Sequence, residues 1–283
     1  MNRSLLERAK EFLSKHEADI SKDQFFVIDE DVLLRTVEIA KIEKDDSVLE
    51  VGPGLGFLTE ELAKRTKKVV AIEIDERFKP YLDKLPENVK VIYEDAYKFL
   101  NDKKERWQIL PITKTVSNIP YSQAQNMLHN YTNISWYRGD LVWLAPTSVV
   151  DKVNKEPILG AYFKARVVEV VPKSAFYPQP NTTSAIMYFQ RIPDPKQTGD
   201  FEIYFRRWLY NHEYLKVKNA LREGIIASAK DLKKVTVTKN QARELIAKLK
   251  IPQEDLEKLA NNINPTYYFE IPQRLQKWFA KLK

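Results

Sequence analysis

Short apolar runs alternate with amphipathic segments over the first two thirds of the chain. The runs predict seven β-strands: Ser47–Val51, Lys68–Ile74, Val89–Tyr93, Thr115–Asn118, Leu141–Leu144, Tyr162–Val171 and Ala185–Arg191. The amphipathic segments predict a helix after each of the first four strands: Phe57–Lys64, Glu76–Leu82, Ala96–Asn101 and Gln123–Tyr131. Because strands that alternate with helices form a mostly parallel sheet covered on both faces, we expect an α/β fold. Only a proline-rich segment joins the last two strands, which favours an antiparallel pair at one edge.

The pattern is helical before the first strand and again after the turn-rich segment Ile192–Gly199. A helix over Asp31–Lys41 is expected, with Asp29 as its N-terminal cap. Beyond the turn-rich segment the pattern predicts five more helices: Phe201–Tyr210, Tyr214–Ser228, Lys239–Lys248, Glu254–Asn261 and Pro272–Lys281. Either Thr238 or Asn240 is expected to cap the third of these.

The positive charge of the chain is concentrated at its C-terminal end. The net charge is +7, and residues 200–283 contain 17 Lys and Arg against 10 Asp and Glu. A basic segment joined to a neutral one is typical of proteins that bind a polyanion such as RNA or DNA, although a solvated lysine-rich surface is the alternative interpretation. We therefore expect a domain over residues 1–195 and a basic helical RNA-docking domain over residues 196–283.

Composition argues against several classes of site. Cysteine is absent and the three histidines are scattered, so we expect no disulfide framework and no metal site. The sequence has no apolar run long enough to span a bilayer, and its N-terminus lacks the apolar core of a signal peptide. These features favour a cytoplasmic protein with no membrane partner, and a monomer is the default expectation.

A glycine-rich turn follows the first predicted strand. Glu50 lies near the end of that strand, and Gly52, Gly54 and Gly56 form the turn into the next helix. Glycine adopts positive φ readily and lets a ligand lie against the backbone, so this turn is typical of a nucleotide-like cofactor site. Phe57 stands where the dinucleotide fingerprint has its third glycine, which argues against a pyrophosphate-bearing cofactor.

Two carboxylates follow the next two strands. Glu73 lies at the end of the second strand, where a carboxylate can accept hydrogen bonds from both ribose hydroxyls. Asp95 follows the third strand and could accept a hydrogen bond from an adenine amino group. Each of them could instead be a surface acid at a strand end. Their order after the glycine turn favours the cofactor interpretation, because ligands of such sheets bind at the carboxyl ends of the strands.

The segment Asn118-Ile119-Pro120-Tyr121 follows the fourth strand. An asparagine carbonyl and a backbone carbonyl can accept the two N–H bonds of a planar amine, and a tyrosine ring can stack on its base. The alternative is a strand-to-helix turn with an asparagine cap and a core tyrosine. Phe176 is a candidate for the second ring of a base clamp, or else a core residue beside a rigid proline turn.

Together these segments resemble the ribosomal RNA adenine dimethyltransferases, a family that includes the small-subunit enzymes and the erythromycin-resistance methyltransferases. The pattern is most like that of the archaeal small-subunit enzymes, and it extends over nearly the whole chain. The matching segments are Gln24–Asp29, Glu50–Gly56, Glu73, Asp95, Asn118–Tyr121, Phe176–Pro180 with Ser184–Ala185, and the basic segment Lys216–Leu221.

The resemblance implies a Rossmann-like class I methyltransferase sheet of seven mostly parallel strands, followed by a small helical C-terminal domain. It implies S-adenosyl-L-methionine as cofactor, bound by Gln24, Val27, Glu50, Gly52, Gly54, Glu73, Asp95 and Asn118. It implies four catalytic residues: Asn118, Pro120, Tyr121 and Phe176. The implied reaction is dimethylation of two adjacent adenosines near the 3′ end of small-subunit ribosomal RNA, with the pre-small ribosomal subunit as partner.

The sequence departs from the family pattern in segments near the expected RNA. Phe25 replaces the small polar residue of bacterial relatives, Ala145–Thr147 replaces a Gln-x-Glu segment, and Pro157–Gly160 replaces an arginine-centred one. These departures leave open which adenosine is modified and whether it receives one methyl group or two. The alternatives are a ribosome-assembly or RNA-binding factor with a vestigial transferase site, and a related adenine methyltransferase that acts on another RNA.

Overall fold

Strands form where the apolar runs predict them. The computed structural model describes residues 3–16, 24–106, 108–134 and 136–282. The strands are β1 Phe26–Val27, β2 Ser47–Val51, β3 Lys68–Glu73, β4 Val89–Tyr93, β5 Lys114–Asn118, β6 Leu141–Pro146, β7 Phe163–Val171, β8 Phe176–Tyr177 and β9 Ser184–Arg191. Every predicted strand is present with small differences at its ends, whereas the two-residue strands β1 and β8 give too short a pattern to be predicted.

The helices also follow the amphipathic pattern in most places. They are α1 Leu5–Lys15, α2 Glu30–Ile39, α3 Phe57–Ala63, α4 Lys79–Leu82, α5 Ala96–Asn101, α6 Lys103–Arg106, α7 Ala124–Asn133, α8 Ser148–Lys155, α9 Leu159–Tyr162, α10 Pro195–Thr198, α11 Phe201–Asn211, α12 Val217–Ser228, α13 Lys239–Lys248, α14 Gln253–Glu257 and α15 Tyr267–Phe279. The predicted caps are confirmed for α2, where Asp29 accepts from two backbone N–H groups, and for α13, where Thr238 forms a capping box.

Three predicted helices differ from the structure for identifiable reasons. The predicted helix Glu76–Leu82 begins as a 3₁₀ turn, and only its second half is α-helical. The predicted helix Glu254–Asn261 is interrupted, since α14 ends at Glu257 and a separate 3₁₀ turn follows. The last helix begins at Tyr267 rather than at Pro272. A proline usually marks the start of a helix, whereas here Pro272 lies inside it.

The main sheet has the strand order β4-β3-β2-β5-β6-β9-β7. Strands β2 to β6 pair in parallel with their neighbours, and β9 runs antiparallel to β6. The expected seven-stranded, mostly parallel class I methyltransferase sheet is therefore confirmed, with β9 and β7 as neighbours at one edge. A second, two-stranded sheet forms where β1 pairs antiparallel with β8.

An aromatic cluster holds the N-terminal segment against the sheet. The ring of Phe12 stacks on Phe78 with 4.7 Å between centroids and meets Phe26 edge-on at 5.7 Å. All three side chains are almost fully buried. Such aromatic contacts add to the free energy gained by burying apolar surface, so the cluster fixes β1 close to the turn after β3.

The chain divides into two compact units. The first contains residues 1–152 and 164–191, and the second contains residues 153–163 and 192–283. In the second unit the rings of Phe201 and Phe279 stack with 4.3 Å between their centroids. The helical C-terminal region that the pattern predicts is present. No helix in the described parts of the chain is long and apolar enough to span a membrane.

Candidate active site

The sheet changes direction between β2 and β5. The chain passes from β2 to β3 and β4 on one side, and β5 then starts the other side. Pairing between β2 and β5 covers only two residue pairs near their start, and beyond it the Val51 N–H donates to Ser117 Oγ at 2.9 Å. Because ligands of open α/β sheets bind where the strand order reverses, this parting of β2 from β5 marks the expected site.

The glycine turn forms one wall of a cavity at this point. Gly52 and Gly54 have φ values of 72° and 54°, which L side chains rarely adopt. The Gly54 N–H donates to a carboxylate oxygen of Glu73 at 3.0 Å. The backbone of Gly52 faces Pro120, and a Cβ placed on Gly52 would stand 3.5 Å from the proline ring, an ordinary van der Waals contact. The glycine turn thus lies between the Glu73 carboxylate on one side and the Asn118 segment on the other.

Two buried carboxyl groups line the cavity. Glu50 is 1% exposed, and burial raises the pKa of its carboxyl to about 8, with a smaller contribution from Glu73 and an opposing one from the nearby Thr59 hydroxyl. Burial also raises the pKa of Glu73, although the N–H groups of Asp75 and Gly54 donate to it and oppose this shift. Glu50 Oε2 is buried and has no hydrogen-bond partner among the described residues.

Sequence reasoning missed a polar network at the cavity's edge. Gln24 Nε2 donates to Asp75 at 2.9 Å, and the Arg77 side chain binds both oxygens of the same carboxylate. The Arg77 guanidinium holds the pKa of Asp75 below its usual range. The acid after Glu73 is visible in the sequence, but its contact with Gln24, 51 positions away, depends on the tertiary fold.

Asn118 lies at the end of β5 with its amide oriented by a neighbour. Its Nδ2 donates to the backbone carbonyl of Phe25 at 3.1 Å. Its Oδ1 is buried and accepts no hydrogen bond from any described residue. The Tyr121 ring lies 5.3 Å from the Phe25 ring, and its hydroxyl contacts Ser184 Oγ. The amide therefore presents an acceptor that has no partner in the described part of the chain.

Most of the predicted site residues surround this one cavity. Its lining includes these predicted residues: Gln24, Val27, Glu50, Gly52, Gly54, Glu73, Asn118, Pro120 and Tyr121. Two predicted residues are not part of the lining. Asp95 is exposed and caps α5 by accepting from the Lys98 N–H at 3.0 Å, and Phe176 lies in β8 with 1% exposure. Their proposed contacts with adenine and with the target base stay predictions.

Comparison with known proteins agrees with this geometry. A family model described as ribosomal RNA adenine dimethylase matches residues 15–254. The chain belongs to this family. A protein of Listeria monocytogenes named ribosomal RNA small subunit methyltransferase A is 31% identical over 261 residues, which cover 80% of this chain and 88% of the relative. A protein of the same name from Enterococcus faecalis is 34% identical over 208 residues, covering 68% and 70% of the two chains.

Solved structures of low sequence identity share the fold. A dimethyladenosine transferase from Plasmodium falciparum has a TM-score of 0.55 at 21% identity, over 88% of this chain and 96% of that one. The 23S rRNA methyltransferase ErmE has a TM-score of 0.51 at 20% identity, over 89% and 99% of the two chains. At these identities the similarity supports the methyltransferase fold and carries no information on substrate.

As a member of this family, the protein is an S-adenosylmethionine-dependent ribosomal RNA adenine methyltransferase. The residues of its cavity fit that cofactor. Among the described residues that line the cavity are three carboxylates, Glu50, Glu73 and Asp75, and no lysine or arginine. The cofactor carries a sulfonium and an α-ammonium group, so an acidic cavity complements its charge. The glycine turn lets a ligand approach the backbone closely, and Glu50 Oε2 has no hydrogen-bond partner among the described residues.

The buried Glu50 carboxyl predicts a pH-dependent stability of the cofactor-free protein. Between its ordinary value of 4.5 and about 8, the folded state holds Glu50 protonated while the unfolded chain is ionised. The free energy of unfolding therefore falls as the pH rises through this window. The amide side chain of the Glu50→Gln variant cannot ionise, so its free energy of unfolding should not fall in this way. Relative to wild type, we expect the free energy of unfolding of Glu50→Gln to be roughly 2–4 kcal/mol higher at about pH 8 than at about pH 5.

Denaturant unfolding of both proteins at the two pH values, without cofactor, measures this difference. Glu87→Gln, at an exposed position, serves as the matched control and should follow wild type. A stability difference between Glu50→Gln and wild type that is the same at both pH values would contradict the prediction.

Proposed function

We propose that this methyltransferase dimethylates the exocyclic amino groups of two adjacent adenosines near the 3′ end of small-subunit ribosomal RNA, on the pre-small ribosomal subunit. The observation that carries the chemistry is the buried, unpartnered Oδ1 of Asn118 at the cavity wall. The names of the relatives from Listeria monocytogenes and Enterococcus faecalis support the choice of subunit. We further propose that it acts in the cytoplasm, as a monomer.

In this proposal the Asn118 segment prepares the amine for reaction. The amino group of adenine is a weak nucleophile because its lone pair is delocalised into the ring. Asn118 Oδ1 accepts one N–H bond, and the Ile119–Pro120 peptide, which has a carbonyl but no N–H, offers a second acceptor of the right kind. Two acceptors favour a pyramidal nitrogen and stabilise the positive charge that develops on it.

The cofactor residues hold and orient the methyl donor. Bound S-adenosylmethionine supplies an electrophilic methyl group on its sulfonium sulfur. In this proposal the carboxylate of Glu73 accepts hydrogen bonds from the ribose hydroxyls, and Gly52 and Gly54 let the ligand lie against the backbone. Gln24 and Val27 line the same cavity and in this proposal contact the cofactor. Most of the rate enhancement then comes from holding donor and amine in near-attack geometry.

Replacement of Asn118 by alanine tests this role. Loss of the acceptor should lower kcat for RNA methylation by about 100-fold or more, because the developing charge loses its stabilising partner. The dissociation constant for S-adenosylmethionine, measured by isothermal titration calorimetry, should change by no more than about threefold if the main role of Asn118 is catalytic. Full turnover in the variant would refute the role, and no heat from wild type with the cofactor would instead favour a vestigial site.

The substrate is identified by the mark that disappears with the enzyme. Mass spectrometry of RNA from a deletion strain should show loss of dimethyladenosine at two neighbouring positions near the 3′ end of small-subunit RNA. Re-expression of the wild-type chain should restore both marks, whereas the Asn118→Ala chain should not. Loss of a mark only from large-subunit RNA, transfer RNA or DNA would contradict the proposed substrate.

A basic groove in the second unit supports RNA docking. Its lining includes Lys248 of α13, Lys277 and Trp278 of α15, and Lys281, which follows α15. No carboxylate in the described part of the chain forms an ion pair with these three lysines. By contrast, Lys216 and Lys218 of the family's basic segment both bind Glu257, which neutralises part of their charge. Unpaired lysines beside an aromatic ring suit the phosphates and bases of RNA.

Removal of two groove lysines should weaken RNA binding in a salt-dependent way. The slope of log affinity against log salt concentration is negative, and each phosphate contact to a single strand contributes about 0.7 to its magnitude. In the double variant Lys248→Ala with Lys277→Ala, the magnitude of this slope should therefore decrease by about 1.4. Filter binding to a 3′ fragment of small-subunit RNA measures the slope. Lys239→Ala, an exposed lysine at the start of α13 outside the groove, is the control. An unchanged slope in the double variant would rule out this docking surface.

A further inference from the structure

Phe25 lines the same cavity as the catalytic asparagine. Its ring is half-buried and lines the cavity, and it contacts the Tyr121 ring at 5.3 Å between centroids with an interplanar angle of 42°. Its backbone carbonyl accepts the hydrogen bond from Asn118 Nδ2 at 3.1 Å. One residue therefore orients the Asn118 amide through its backbone and places an aromatic face beside it through its side chain.

Phe176, the residue that the family resemblance assigns to the base clamp, has a different environment. Its side chain is 1% exposed and belongs to the core cluster. Its strand, β8, pairs with β1, where Phe176 is opposite Val27. Stacking of a base on Phe176 would require this packing to open, whereas the Phe25 ring already lies at the cavity wall.

We propose that Phe25, together with Tyr121, supplies the pair of aromatic faces that holds the flipped adenine. This inference rests on the proposed function and specifies its target-base site. The two rings touch each other in the free protein, so the slot beside Asn118 is closed until a base enters. Entry of the base separates the rings to about twice the thickness of an aromatic plane, and each ring exchanges its contact with the other for a contact with adenine.

The side chain of Phe25 can be tested separately from its backbone. Phe25→Leu retains the carbonyl that binds Asn118 and much of the apolar volume, but it removes the aromatic face. We expect kcat/KM for the RNA substrate to fall by about 5- to 100-fold, the range found when one base–aromatic stack is lost. Phe25→Tyr restores a ring and should recover most of this loss.

Two further measurements distinguish stacking from other roles. The dissociation constant for S-adenosylmethionine and the Tm of Phe25→Leu should both remain close to wild type, because the expected loss concerns only the base. Tyr97→Leu is the matched control, since Tyr97 is 55% exposed in the same unit and is not part of the cavity lining. This variant should keep the wild-type kcat/KM.

The proposal is overturned if Phe25→Leu keeps the wild-type kcat/KM for RNA, or if it weakens only cofactor binding. It is also overturned if Phe176→Leu shows the fall in kcat/KM that is expected of Phe25→Leu, at an unchanged Tm, while Phe25→Leu itself shows no fall. Failure of the wild-type chain to methylate any adenine of small-subunit RNA would instead contradict the proposed function.

Discussion

The site depends on one break in hydrogen bonding, where β2 and β5 stop pairing before they end. Two residue pairs join these strands, and after them a serine hydroxyl takes the place of a ladder partner. This substitution satisfies the Val51 N–H while the two chains diverge into the glycine turn and the Asn118 segment. If the hydrogen-bond ladder continued to the ends of β2 and β5, the glycine turn and the Asn118 segment would lie against each other and leave no room for ligands between them. The direction change of the sheet and the cavity thus have a common cause.

Two carboxyl groups in the cavity are buried without a cationic partner among the described residues. Glu50 and Glu73 are buried, and burial raises the pKa of both more than the nearby hydrogen-bond donors lower it. Asp75 differs because Arg77 binds it at the edge. A buried acid without a cationic partner lowers stability, so the free protein is less stable than its fold would allow. Binding of a cationic cofactor returns part of that stability through linkage.

The sequence predicted the sheet and most of the cavity wall because both follow local rules. Alternating patterns located the strands, and the glycines, Glu73 and Asn118 all follow strand ends that a parallel sheet brings to one edge. The structure adds contacts that bridge distant segments, such as Gln24 with Asp75 and Phe25 with Asn118. No pattern of period two or 3.6 encodes such contacts, because they depend on how β1 folds back over the sheet. The helix α9 has only four residues and is too short for a periodic pattern, whereas α8 was missed although its three valines, Val149, Val150 and Val153, are buried.

The second unit takes part of its structure from the middle of the chain. Residues 153–163 belong to it, and there the buried Arg206 donates from Nε to the Pro157 carbonyl at 3.0 Å, while Arg207 Nε donates to the Ala161 carbonyl at 3.0 Å. A fragment cut out after β9 would leave both guanidinium groups without these acceptors. On the ribosome, this segment emerges before β7 and β9 have been made and long before α11, which carries both arginines. Its hydrogen bonds with Arg206 and Arg207 can therefore form only after the rest of the first unit has been synthesised.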